Sequence, residues 1–98
     1  MKFNIDSVIK NIVKPWTPVD LATFNGQILR VALFEGEYHE HLHKYDELFL
    51  VFRGVVTIWT EKGDIKLEEG EGVTIPTGLK HKPIANTPSY VLMVDSSS

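Results

Sequence analysis

The stretch "GEYHEHLHKYDELFLVFRG", residues 36–54, decides how the chain is read. It sets His39, His41, His43 and Glu47 directly ahead of the apolar run Leu48 to Phe52. In that run Phe49 and Val51 share one parity, while Leu48, Leu50 and Phe52 share the other. An extended strand there is apolar on both faces. His41 and His43 are two apart, so on a strand both imidazoles leave the same side and converge on one cation. "KYD" reads as a short turn, and a chain that doubles back there brings Glu47 to the same spot. Glu47 has the parity of Phe49 and Val51 and therefore points at the core. A carboxylate aimed at a core is costly unless it is paired or holds a metal.

Outward from this stretch, residue 27 onward is a series of short β-rich runs separated by glycine and proline, the rhythm of an all-β sandwich or barrel. Strands are expected near "QILRVALF", "YHEHLH", "ELFLVF", "VVTIWT", "DIKLE", "GVTIP", "KHKPIA" and "SYVLMV". "TEKGD" is a hairpin turn with Gly63 supplying a positive φ. Residues 1–26 read as an N-terminal arm in which Asp6 caps a helical turn at "SVIKNIV", stopped by Pro15 and Pro18. Residues 27–95 form the barrel, and 96–98 a disordered tail of serines. A small barrel has little of its own to lay over the outer face of "ELFLVF", so the arm or a second subunit must cover it, and a homodimer is expected.

The 98 residues make one domain, able to bury roughly two-thirds of its unfolded surface without staples. The sequence contains no cysteine, which excludes disulfides, thiolate metal ligands and a cysteine nucleophile. Any metal is then held by nitrogen and oxygen. A net charge of -3 with scattered lysines and arginines offers no basic stripe, so nucleic acid is not expected as a partner. The N-terminus is interrupted by polar residues and lacks a signal-peptide core, and no apolar run approaches the ~18 residues that span a membrane. The expected compartment is the cytoplasm.

"GEGVTIPTGLKH", residues 70–81, repeats the theme at a distance. Pro76 ends a short buried strand, Gly78 permits a tight reversal, and His81 opens the next strand, thrown back toward the barrel. Together with the first stretch this makes three imidazoles and one carboxylate. Two histidines alone on a strand ordinarily face solvent. Four matching positions make a metal site the better reading. No serine lies in a G-x-S-x-G context, and the glycines of "GEGVTIPTG" lack the lysine and helix of a phosphate cradle.

Gly36, His41, His43, Glu47 and Gly54 resemble the first motif of the cupin superfamily, and Gly70, Pro76, Gly78 and His81 resemble the second. Four residues separate Gly36 from His41 where the family commonly has five, and Asn86 stands five places after His81 rather than four. The short stretch between the motifs is similar to the small single-domain cupins of the mannose-6-phosphate isomerase-like group. The resemblance implies a double-stranded β-helix, or jelly-roll, barrel. It also implies a divalent transition metal (Mn, Fe, Ni, Co, Zn or Cu) held by His41, His43, Glu47 and His81, with positions left for a small-molecule ligand. Arg30, Phe34, His39, Tyr45, Phe49, Trp59 and Met93 are the expected pocket lining. Arg30 either points into the barrel to meet an anionic ligand or is an edge or surface arginine, and Tyr45 or His39 is the expected proton shuttle. The implied function is isomerase, oxygenase or lyase chemistry on a small oxygen-bearing metabolite, the alternative being a non-catalytic ligand-binding or sensing module.

Overall fold

A computed structural model describes residues 2–96. The chain begins with α1 (Ile5–Ile9), whose N-cap is Asn4 in extended backbone, its Oδ1 accepting from the Ser7 amide at 3.0 Å. Asp6 lies in the first turn instead of capping it, where its charge suits the exposed amides. Seven strands follow: β1 (Val19–Phe24), β2 (Gln27–Glu37), β3 (Glu47–Arg53), β4 (Val56–Thr60), β5 (Gly63–Leu67), β6 (Gly72–Ile75) and β7 (His81–Ser96).

All pairings are antiparallel, in the order β1-β2-β7-β3-β6, with β4 joined to β7 and β5 to β4. β7 ties the two parts together: its first residues pair with β4, Thr60 opposite His81, and its later residues lie between β2 and β3. "ANTP" does not break the strand, as its turn-like composition suggests; instead the register shifts between Phe34 and Gly36 on β2 and between Val51 and Arg53 on β3. Bulges of this kind bend a strand without ending it, so one long strand serves two layers. "YHEHLH" departs from expectation in the other direction. Only His41 makes a bridge, to His81, because no neighbouring strand runs alongside His43.

Alternation fills two apolar layers. Ala32, Phe34, Phe49, Val51, Val56, Ile58, Ile75, Val91 and Met93 point inward. Val31, Leu33 and Leu92 point outward, with Leu50 and Phe52 partly buried beside them, and meet Ile5, Val8, Ile9 and Ile12 of the N-terminal segment. Each such side chain fully buried contributes roughly 1.5–3 kcal/mol. The arm therefore covers the second apolar face of β3 and β2. Residues 19–24, counted with the arm in the sequence, form edge strand β1 against β2, and Ser96, counted with the tail, pairs with Gln27; Ser97 and Ser98 lie outside the described residues. The β4–β5 hairpin turns at Glu61 and Lys62, with Gly63 at φ +130 and the Thr60 hydroxyl donating to the Gly63 carbonyl at 2.7 Å.

Gly54, after β3, is fixed by sterics as well as by its φ of +103. A Cβ there would fall 2.2 Å from Ser89 Oγ, which itself binds the backbone of Val55 and Thr87. Among the described residues no helix is long and apolar enough to cross a membrane.

Candidate metal centre

Three separate devices bring the site together. His41 and His81 form an isolated antiparallel bridge, each amide donating to the other's carbonyl at 2.9 Å, so their rings stand side by side with centroids 4.4 Å apart. His43 lies in the loop before β3, where its carbonyl accepts from the Gly78 amide at 3.0 Å. Gly78, at φ +80, occupies the left-handed backbone this turn demands. Asp46 adds a staple, accepting from the Thr77 amide at 2.8 Å and the Thr77 hydroxyl at 3.0 Å. Those two bonds hold its carboxyl below the ordinary aspartate value. Glu47 opens β3 and points inward, 5% exposed, with Phe49 and Val51.

One donor atom from each of His41, His43, Glu47 and His81 lies within 4.8 Å of all the others. The His41 and His81 Nδ1 atoms meet the carbonyls of His39 at 3.0 Å and Leu79 at 2.8 Å. A carbonyl accepts only from an N–H, so the proton is assigned to Nδ1 and the Nε2 lone pair is left for the site. Glu47 Oε1 sits 3.2 Å from His43 Nε2 and 3.5 Å from His81 Nε2, yet none of these three buried atoms completes a hydrogen bond. Ligands at ~2.1 Å from one ion stand about 3.0–3.4 Å apart in adjacent positions. The 3.2 Å spacing is that of a coordination edge, and 3.5 Å lies close to one. Buried, unsatisfied and convergent nitrogen and oxygen donors fit a divalent transition metal, and the group can hold one.

Electrostatics follow from burial and mutual contact. Burial lowers His41, aided by His81 and His43, outweighing the His39 carbonyl. Burial acts to lower His81 too, but Glu47 and the Leu79 carbonyl overcome it and leave that imidazole more basic than usual. Burial acts to raise Glu47, and contact with His81, Asp95 and His43 more than compensates, holding it ionised. Beside it Asp95 is driven up to about 7 by burial, by a hydrogen bond shared with Glu47 and by the Glu47 charge, against the pull of Arg30.

His41, His43 and Glu47 line a cavity of about 210 Å³. Arg30, Phe34, Tyr45, Phe49 and Met93 line it. His39 does not: it is exposed and stacks on Tyr38, with ring centroids 4.0 Å apart. Trp59 does not either. It alternates with fully buried Ile58 on β4, so it faces away from the interior, with Lys82 Nζ 5.7 Å from its ring centre. Tyr45 stacks on His43 at 5.1 Å, and burial with the nearby Asp95 and Glu47 carboxyls raises its phenol, keeping it protonated.

Among the lining residues that escape the sequence reading are Trp16 and Asp95, with Pro18, Ala32, Tyr38 and Pro83. Trp16, in the arm, reaches the cavity with its ring 4.6 Å from Phe34 and 5.0 Å from Tyr38, fixed by its indole N–H donating to the Glu35 carbonyl at 3.0 Å. Nothing periodic in "PWTP" marks it. Asp95 had a signal: it shares the parity of Val91 and Met93 on β7, both buried. Its Oδ2 lies 3.5 Å from Arg30 Nη1, and Arg30 Nε donates to Asp20 at 2.8 Å.

Comparison with known proteins agrees with this architecture. Residues 30–96 match the model of the Cupin_2 family, described as a cupin domain. The uncharacterized protein YdbB of Bacillus subtilis (strain 168) is 30% identical over 94 residues, which cover 94% of this chain and 80% of that protein. A crystal structure of a cupin-2 domain containing protein from Shewanella frigidimarina NCIMB 400 superposes with a TM-score of 0.93 at 28% identity, covering 96% of this chain and 93% of the other. Hydroquinone 1,2-dioxygenase from Sphingomonas sp. TTNP3, solved with 4-hydroxybenzoate bound, shares the fold at a TM-score of 0.92 and 14% identity, with all of this chain covering 32% of that one. With two-thirds of its residues matched, both motif histidine segments included, the chain belongs to the cupin superfamily.

Proposed function

We propose that His41, His43, Glu47 and His81 hold a divalent transition metal and present it to a small oxygen-bearing molecule, which is turned over by oxygenase-type chemistry. The observation that carries this is the set of unsatisfied buried donors, His43 Nε2, His81 Nε2 and Glu47 Oε1, beside a cavity that His43 and Glu47 line together with Trp16, Phe34, Phe49 and Met93. A metal bound there supplies Lewis acidity and, if redox-active, a route for electrons. The protein's own residues do the rest. Trp16, Phe34, Phe49 and Met93 make an apolar wall that excludes water and favours a flat ligand. The Asp46–Thr77 staple keeps the loop of His43 in register with the turn before His81. Tyr45, held protonated, has a phenol hydrogen to offer an oxygen in the cavity. A volume of about 210 Å³ suits a single ring. The phenolic ligand of the Sphingomonas dioxygenase, in the same fold, favours an oxygenase over an isomerase or lyase.

The test loads the purified protein anaerobically with Fe(II), Mn(II), Ni(II), Co(II), Zn(II) or Cu(II) and records metal content, oxygen uptake and product formation over a panel of phenols and enolisable metabolites. Oxygen uptake with a ring-hydroxylated substrate is expected. Product without oxygen uptake would replace the oxygenase by an isomerase or lyase. Thermal stabilisation by one compound without turnover would leave a binding module. The reading extends to a homodimer, supported by the apolar side chains of Val19, Phe24 and Leu48 that remain exposed on β1 and β3. Light scattering giving the mass of one chain would refute that part.

A further inference from the structure

Four polar side chains cross the barrel wall in a row, one from each of the neighbouring strands β1, β2, β7 and β3. Asp20 on β1 stands opposite Arg30 on β2, and Arg30 Nε donates to Asp20 Oδ1 at 2.8 Å. Arg30 Nη1 lies 3.5 Å from Oδ2 of Asp95 on β7. The next ladder, between β7 and β3, pairs Leu48 with Val94 and Phe49 with Met93. One step further along it Glu47 comes against Asp95, and the two carboxyls share a hydrogen bond. Both are buried, Asp95 at 7% exposure and Glu47 at 5%, and both line the cavity beside Tyr45.

Two like charges set against each other on a buried face destabilise a sheet. A hydrogen held between the carboxyls removes that repulsion, and it ties Glu47 to a side chain that is itself tied across the sheet. Glu47 has need of such a tie. Its Oε1 sits 3.2 Å from His43 Nε2 and 3.5 Å from His81 Nε2, yet the last torsion of a glutamate is broad, so the backbone alone does not fix that aim. Carboxylates that hold metals are in turn held by hydrogen bonds from outside the ligand set.

We infer that Asp95 is a positioning residue for the metal centre: braced by Arg30, which Asp20 holds in turn, it fixes the Glu47 carboxylate in the orientation that presents Oε1 to the ion. The inference rests on the metal-site reading above and extends it to side chains outside the four ligands. It also gives Arg30 a task other than meeting an anionic ligand, since the guanidinium has a carboxyl on each side. What the bond asks of position 95 is a hydrogen donor, which an amide supplies as well as a carboxyl.

The experiment titrates Ni(II) and Zn(II) into the metal-free protein by calorimetry and follows thermal unfolding of the same metal-free samples. Asp95→Leu and Asp95→Ala are expected to lose about 10–100-fold in affinity for each ion the parent binds, while Asp95→Asn stays within about threefold of the parent. The metal-free Tm of Asp95→Leu is expected to remain at or above the parent's, because an apolar side chain of similar volume replaces a buried ionisable one. A part in stability alone would lower Tm and leave affinity in place. Parent-like affinity in both Asp95→Leu and Asp95→Ala, or a loss in Asp95→Asn as large as in Asp95→Leu, would overturn the inference while leaving the metal site standing. A parent protein that takes up neither ion would remove the reading beneath it as well.

Discussion

Replacing His81 by alanine separates the metal site from the scaffold. His81 is 1% exposed, and its Nδ1 meets the Leu79 carbonyl at 2.8 Å. Truncation opens a cavity and strands that carbonyl, but it also removes a buried nitrogen that has no partner without a metal. The opposing effects leave a net loss below about 3 kcal/mol, against the 5–15 kcal/mol of an ordinary domain. The metal-free variant is therefore expected to stay folded. Metal binding behaves differently. Loss of a partner that merely supports a ligand weakens affinity about 10–100-fold, so loss of the ligand itself is expected to exceed about 100-fold. At a metal concentration of 100 times the parent Kd, the parent gains about 2.7 kcal/mol, which raises Tm by on the order of 10–20 °C in a chain this size. The variant, its site at best half filled, gains about 0.4 kcal/mol, or roughly 2–3 °C. Thermal scans with and without metal, followed by circular dichroism, measure both numbers. An equal metal-induced rise in parent and variant would refute the ligand assignment, and a metal-free variant already unfolded would show that the imidazole is structural.

Gly54→Ala is expected to destabilise by about 3–5 kcal/mol, from left-handed backbone strain and the displacement of Ser89, read from urea unfolding; a loss under about 1 kcal/mol would contradict the 2.2 Å approach to Ser89 Oγ. Metal affinity should rise with pH. Burial opposes the proton on His81, but Glu47 and the Leu79 carbonyl retain it above the ordinary histidine value. Since metal needs the bare Nε2, binding displaces that proton, and affinity falls as pH drops through the neutral range, with His41, lowered by burial, adding its loss only at more acid pH. Calorimetry between about pH 6 and 8 that shows constant affinity and no proton release would contradict this. Trp16→Ala should leave metal content unchanged while weakening ring-shaped ligands about tenfold, since its indole lines the cavity without touching the four donors. Loss of metal with the indole would place the arm in the site's architecture instead.

Much of this protein follows from local rules. A period of two along β3 put Glu47, Phe49 and Val51 on one face and Leu48, Leu50 and Phe52 on the other, and the structure divides them in that way. The hairpin at Gly63 and the reversal at Gly78 follow from backbone freedom that glycine alone has in abundance. The four candidate donors were legible because their spacing joins a strand, a turn and a second strand. By contrast, His43 owes its position to bonds from a turn thirty-five residues away and not to a strand of its own. Trp59 has the composition of a pocket residue and the parity of a surface one. What the sequence determined alone was the alternation, the turns and the identity of the convergent donors, because each depends on neighbours close along the chain. Only the tertiary structure decided that Trp16 lines the cavity, that Arg30 lies between Asp20 and Asp95, and that Asp95 stands buried beside Glu47. These depend on which strands lie side by side, and strand order is set by the packing of the whole barrel.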